Sequence, residues 1–121
     1  MRKKGGVQMK VISVINQKGG VGKTLSTLNL AAAIADTEKN KKIAIVDLDP
    51  QASLTISLGF EPDDFPVTIS DVLNQQESIK KIIYQSGLLD NLYIIPSHGG
   101  LSATEVKMAT MKDSYLYLRD S

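Results

Sequence analysis

Apolar and polar positions alternate in blocks along this chain. Val11-Ile12-Ser13-Val14-Ile15 is almost wholly apolar and predicts a first strand over Lys10 to Asn16, buried on both faces. From Thr24 to about Thr37, Leu25, Leu28, Ala32 and Ala35 recur at helical spacing. They predict a helix whose alanines allow close approach to a sheet. Asn40-Lys41-Lys42 interrupts the pattern, and Ile43-Ala44-Ile45-Val46 predicts a second strand ending at Asp47. Leu54 to Leu58 predicts a short helix. Gly59 to Pro66, with one glycine and two prolines, predicts a loop. Thr68-Ile69-Ser70-Asp71 reads as a helix N-cap with an acid three residues on, opening a short helix through Leu73. Ser78 to Tyr84 predicts a helical turn or two. Leu92-Tyr93-Ile94-Ile95 predicts a third strand, closed by Pro96. Ser102-Ala103-Thr104-Glu105 reads as a second capping box, with a last helix running on through Tyr115 to Asp120.

Strands alternating with helices imply a parallel sheet with helices on its faces, and ligands in such folds sit at the carboxyl ends of the strands. Two stretches with chemistry fall there. Gln17-Lys18-Gly19-Gly20-Val21-Gly22-Lys23-Thr24 follows the first predicted strand and opens the first helix at Leu25. Glycines let backbone N–H groups wrap a polyphosphate, and the helix N-terminus adds positive potential there. Lys23 is placed to reach the β- and γ-phosphates of a nucleotide, and the Thr24 hydroxyl to ligate Mg²⁺. Lys18 is either a solvated surface lysine or a second cation directed at phosphate. Gly19-Gly20 beside it favours the second. The second stretch, Asp47-Leu48-Asp49-Pro50-Gln51, ends the second predicted strand. Two acids spaced i, i+2 can serve one Mg²⁺ and its attacking water, and Pro50 stiffens the backbone behind them.

Lys4-Gly5-Gly6-Val7 repeats the letters of Lys18-Gly19-Gly20-Val21, but follows no apolar run and lacks the Gly-Lys. Residues 1–8 therefore read as a basic, flexible leader without a site. The 121 residues suffice for one domain, with 42% hydrophobic and 22% charged content in the soluble globular range. A net charge of +1 selects no polyanionic partner. The chain has no cysteine, which removes disulfides, thiolate catalysis and cysteine-held iron–sulfur clusters. No apolar run approaches the length of a membrane span and no secretory signal is visible, so the expected location is the cytoplasm. His98 reads as a solvent-facing loop residue without a catalytic role. Lys80-Lys81 reads as solvated charge, and Met108 and Met111 as core or interface filler.

The lysine inside the loop gives the sequence a resemblance to the deviant Walker A motif of the ParA/MinD ATPases. In that family the lysine matched by Lys18 reaches across a dimer interface to the partner's nucleotide. Val46-Asp47-Leu48-Asp49-Pro50-Gln51 resembles the second signature of ParA-type partition ATPases. There the acid matched by Asp49 positions the water that attacks the γ-phosphate, and the one matched by Asp47 helps hold Mg²⁺, generally through water. Leu92 to Ser97, followed by Leu101 and Glu105, is similar to the strand and helix that come next.

The resemblance covers residues 9–120 and implies an α/β, P-loop NTPase-like parallel sheet with flanking helices, ending before the third (Walker B) signature. On this reading residues 9–121 correspond to the N-terminal part of a ParA-type ATPase domain, as an engineered fragment or a truncated product. The implied function is an ATP- and Mg²⁺-dependent ATPase switch for plasmid or chromosome partition that dimerises on ATP. The implied partners are a ParB-like centromere-binding protein and non-specific DNA, the latter through regions mostly absent here. The implied catalytic residues are Lys18, Lys23 and Asp49. The implied nucleotide-binding residues are Gln17 to Leu25, and the metal-directed ones are Thr24, Asp47 and Asp49. A MinD-type regulator of the division site and a non-catalytic binding module are the alternatives.

Overall fold

The computed structural model of the chain describes residues 9–116. The leader read into residues 1–8 and the segment from Tyr117 to Asp120 lie outside them. A three-stranded sheet has the order β1-β3-β2, with β1 at Ile43–Val46, β2 at Tyr84–Gln85 and β3 at Leu92–Ile95. β1 and β3 are parallel, with Ile43 opposite Leu92 and Val46 opposite Ile95. β2 runs antiparallel to β3, with Tyr84 opposite Ile94. The helices are α1 (Lys23–Thr37), α2 (Ser53–Ser57), α3 (Ile69–Leu73) and α4 (Leu101–Ala109).

Successive side chains of a strand point to opposite faces, so β3 feeds two cores. Leu92 and Ile94 join Ile45 of β1 beneath Ala31 and Ala35 of α1, with Leu28 and Phe60 at the margin. Ile95 turns the other way, into a cluster of Ile69, Val72, Leu73, Ile82 and Leu101 that joins α3 and α4 to the sheet. The small Ala31 and Ala35 bring the α1 backbone close to the strands. Leu25, expected on this inner face, is instead 64% exposed, and Leu28, Ala31 and Ala35 form the seam.

The helix direction is set at its far end. The side-chain amide of Asn91, just before β3, donates to the carbonyls of Ala35 (2.9 Å), Glu38 (3.3 Å) and Lys41 (3.0 Å). The Asn91 carbonyl accepts from the amide of Ile43, where β1 begins. The C-terminus of α1 therefore lies at the amino ends of β1 and β3. Its 15 residues, ~22 Å long, carry its N-terminus back towards their carboxyl ends.

The strand expected over Lys10 to Asn16 does not form. Val11 and Ile15 are 76% and 86% exposed, and the segment carries no sheet hydrogen bonds. β3 is paired on both edges, by β1 and β2, and among the described residues the outer edge of β1 stays unpaired without this segment docking on it. The stretch from Ser78 to Tyr84, expected to be helical, is a single 3₁₀ turn at Ile79–Lys81 that passes into β2. Lys81 pairs with Glu77 there at 2.6 Å. The cap at Thr68 forms as expected, with the Asp71 carboxylate accepting from the Thr68 amide at 2.7 Å.

The Ser102 capping box does not form. α4 begins at Leu101, because the carbonyl of His98 accepts the Leu101 amide and that of Gly99 the Ser102 amide. Ser102 is then already inside the helix. α4 stops at Ala109, ahead of the expected continuation, and a 3₁₀ turn occupies Ser114–Leu116. Met108 lies against the second core and Met111 is 36% exposed. Among the described residues no helix is long and apolar enough to cross a membrane.

Two outcomes follow from these contacts. Asn91→Ala, which strands carbonyls at the end of α1, should lower unfolding stability by about 1–3 kcal/mol in urea titrations. Burial, reinforced by the charge of Asp71, raises the pKa of Tyr84 above the ordinary 10.0, and its hydroxyl donates to the Val67 carbonyl. Above pH 10.0 the unfolded chain releases this proton before the folded one does, so stability falls as pH rises. Stability measured against pH should fall less steeply in this range for Tyr84→Phe than for the unmodified chain.

Candidate functional site

Because α1 runs antiparallel to β1, its N-terminus and the Asp47–Asp49 turn occupy the same end of the sheet. α1 also packs against α2, which follows that turn. The structure thus places the two predicted stretches at the same end of the sheet. Among the described residues no direct hydrogen bond joins them.

The glycine loop is built by backbone conformations that side chains disfavour. Gly20 and Gly22 have φ of 69° and 90°, in the left-handed region. A Cβ placed on Gly19 or Gly20 would meet no atom within 4 Å, so the loop surface there is open to a ligand. Gln17, Lys18, Gly19, Gly20, Val21 and Gly22 are exposed, and Lys23 and Thr24 half-buried. The Asn16 side chain accepts from the Lys18 amide at 2.8 Å. The Lys23 ammonium folds back over the loop and donates to the Lys18 carbonyl at 2.9 Å. The first intrahelical bond of α1 runs from the Ser26 amide to the Gly22 carbonyl, so the amides of Lys23, Thr24 and Leu25 have no partner within the helix. Those amides, the helix dipole and the Lys23 ammonium are groups that can together receive an anion at the start of a long helix.

The acid pair divides its work. Asp47 is 3% exposed. Its Oδ1 accepts the Asp49 amide at 3.0 Å, and its Oδ2 accepts the amide and hydroxyl of Thr55 at 2.9 and 2.7 Å. Asp49 is half-buried and, among the described residues, its carboxylate accepts only the Gln51 amide, through Oδ1 at 2.9 Å. Asp49 therefore keeps most of its acceptor capacity for a ligand, whereas Asp47 uses three of about four lone-pair positions within the fold. Pro50 and the left-handed Ala52 (φ 52°) close the turn, with the Ala52 amide donating to the Asp49 carbonyl.

The donor set fits a nucleotide with Mg²⁺. Among the described residues no three acids, histidines or cysteines cluster to hold a metal by themselves. Mg²⁺ is commonly held by one or two carboxylates together with substrate phosphates and water, and the Thr24 hydroxyl and the two carboxylates, at the same end of the sheet, offer hard oxygens of that kind.

Sequence reading missed Thr55 and Ser97, which complete the rim. The Ser97 amide donates to Thr55 Oγ1 at 3.3 Å, and the Ser97 hydroxyl is buried without a hydrogen-bond partner. Threonine on a short helix and serine after a strand carry no local signal for such a role. His98, expected to face solvent, is half-buried and accepts the Gly100 amide through Nδ1 at 2.8 Å. A Cβ on Gly100 would meet the His98 ring, so a side chain there would require the imidazole to move.

Comparison with known proteins places this geometry. Residues 9–121 match the family described as AAA domain. The chain is 33% identical over 112 residues to the chromosome partitioning protein ParA of Myxococcus xanthus, covering 93% of this chain and 38% of that protein. It is 36% identical over 99 residues to the sporulation initiation inhibitor protein Soj of Bacillus subtilis, covering 82% and 38%. Among solved structures it resembles cobyrinic acid a,c-diamide synthase from Mycobacterium smegmatis with a bound ATP analogue and magnesium. That likeness has a TM-score of 0.79 and 31% identity over 88% of this chain and 42% of that one. The chain thus spans about two-fifths of the length of the proteins it matches.

The two acids should separate in stability measurements. Asp47→Ala leaves buried donors unsatisfied and should cost about 2–4 kcal/mol, whereas Asp49→Ala should cost under about 1 kcal/mol. Urea midpoints of the two variants check this.

Proposed function

The chain belongs to the AAA domain family and within it to the ParA/Soj-type ATPases, and from that premise we propose that it binds Mg²⁺-ATP and acts as a nucleotide-dependent switch in DNA partition. The observation that carries this reading is the shared rim. An anion-binding helix start and a carboxylate with free acceptor capacity lie at one end of a parallel sheet.

In this reading the amides of Gly19 to Leu25 wrap the polyphosphate, with Gln17 and Lys18 at the mouth of the loop. Lys23 exchanges the neutral Lys18 carbonyl for phosphate oxygens, to which its hydrogen bonds are charge-assisted and stronger. Thr24 and Asp49 would hold Mg²⁺, and Asp47 would help hold it by way of water through its remaining lone pair. The metal supplies neutralisation of phosphate charge. Asp49 orients the attacking water, and Lys23 stabilises the charge that develops on the phosphoryl oxygens.

Lys18 reaches the nucleotide of a second subunit, which makes the homodimer depend on the γ-phosphate and lets hydrolysis release it. A ParB-like centromere-binding protein and non-specific DNA are the partners, plasmid or chromosome is the cargo, and the cytoplasm is the setting.

Calorimetric titration with Mg²⁺-ATP tests the proposal. The unmodified chain should give saturable heat, and Lys23→Ala should weaken binding by at least about tenfold, as expected for the loss of charge-assisted bonds. A folded chain that gives no heat would refute nucleotide binding by this site.

A further inference from the structure

The rim holds a chain of hydrogen bonds that the proposed chemistry does not use. Thr55 is completely buried in α2. Its hydroxyl has one proton, which it gives to Asp47 Oδ2, so the same oxygen is left to accept from the Ser97 amide. Asp47 passes the restraint on, because its other oxygen holds the Asp49 amide. The path runs from the residues after β3, through α2, to the end of β1 and into the turn that carries Asp49. Every partner of Asp47 in it is a donor, so the carboxylate is oriented from both sides.

We propose that Thr55 is a positioning residue for the acid pair. It fixes the Asp47 carboxylate, through that group the backbone of Asp49, and it ties both to the Ser97 amide. The proposal deepens the nucleotide reading and rests on it for the roles of the two acids. A buried threonine at this position is thus selected for its hydroxyl and not for its volume. Valine matches the shape of threonine and keeps the backbone amide bond to Asp47 Oδ2, but its side chain neither donates to Asp47 nor accepts from Ser97. Serine keeps both bonds.

The test uses the 121-residue chain as it stands, with Thr55→Val, Thr55→Ser and Ser97→Ala. Residue-resolved amide exchange is the first readout, corrected for each variant's global stability. The Asp49 amide should exchange about tenfold faster in Thr55→Val, the change expected for loss of one hydrogen bond to a charged group. Thr55→Ser and Ser97→Ala should match the unmodified chain, the latter because the amide of residue 97 donates and not its side chain.

The second readout is ATP affinity with and without Mg²⁺. Thr55→Val should lose about tenfold of the gain that Mg²⁺ gives, for the same reason, with metal-free binding unchanged. Thr55→Ser should restore that gain. Wild-type protection of Asp49 in Thr55→Val, or a Thr55→Ser that behaves like valine, overturns the proposal whether or not nucleotide binds. If the unmodified chain binds no Mg²⁺-ATP while Asp49 exchange responds as expected, the nucleotide reading fails and the positioning of the acid pair is upheld. Should valine unfold the chain, Thr55→Cys replaces it, since a thiol is a weak donor and acceptor, with the same expected exchange.

Discussion

A buried carboxylate must be satisfied, and much of this molecule is arranged around satisfying one. Asp47 ends β1 almost out of contact with solvent, where an unpartnered charged group would be prohibitively costly. Its three donors come from Asp49 and Thr55, and Thr55 is in turn held by Ser97. The turn after β1, the short helix α2 and the loop after β3 are therefore not independent pieces. Each is placed by the need to deliver a proton to one side chain, or to the hydroxyl that serves it. α2, at five residues, is too short to be stable alone, and this network together with Leu54 in the core holds it.

The same rim shows how a fold separates rigidity from reactivity. Asp47 and Asp49 sit two residues apart and are chemically identical, yet one is absorbed into the frame and the other faces outward. The difference comes from the turn that follows β1, not from residue type, since strand alternation alone would put residues two apart on the same face. The glycine loop is the open counterpart. Its backbone is exposed, its surface is open, and its lysine rests on a carbonyl that a stronger acceptor can displace.

Local signals were legible in the sequence and distant ones were not. The Thr68–Asp71 cap could be read because both partners lie within one turn. β1 and β3 could be read because four apolar residues in a row, bounded by polar ones, have few other uses. The apolar run at Val11 to Ile15 has the same local character and forms no strand, because apolar character alone does not secure a pairing partner. The Ser102 box failed for a related reason: the turn at Gly99-Gly100, shaped by His98, starts the helix sooner. Within the site, the glycine loop and the acid pair were visible as spacings. Thr55, Ser97 and Asn91 were not, since their partners lie 8, 42 and 56 residues away and any polar residue could have been written there.

Asn91 has a consequence for the order of events as the chain is made. A ribosome releases the glycine loop and the whole of α1 long before it reaches the residue that fixes which way α1 points. The bond from Asn91 to Ala35 spans 56 positions, and the pairing of β1 waits for β3, which follows Asn91 directly. Until then the helix start and the acid turn are both present but share no frame. A nascent chain therefore carries every group of the candidate site before it carries the site itself, and the rim comes into being only when translation has passed Ser97.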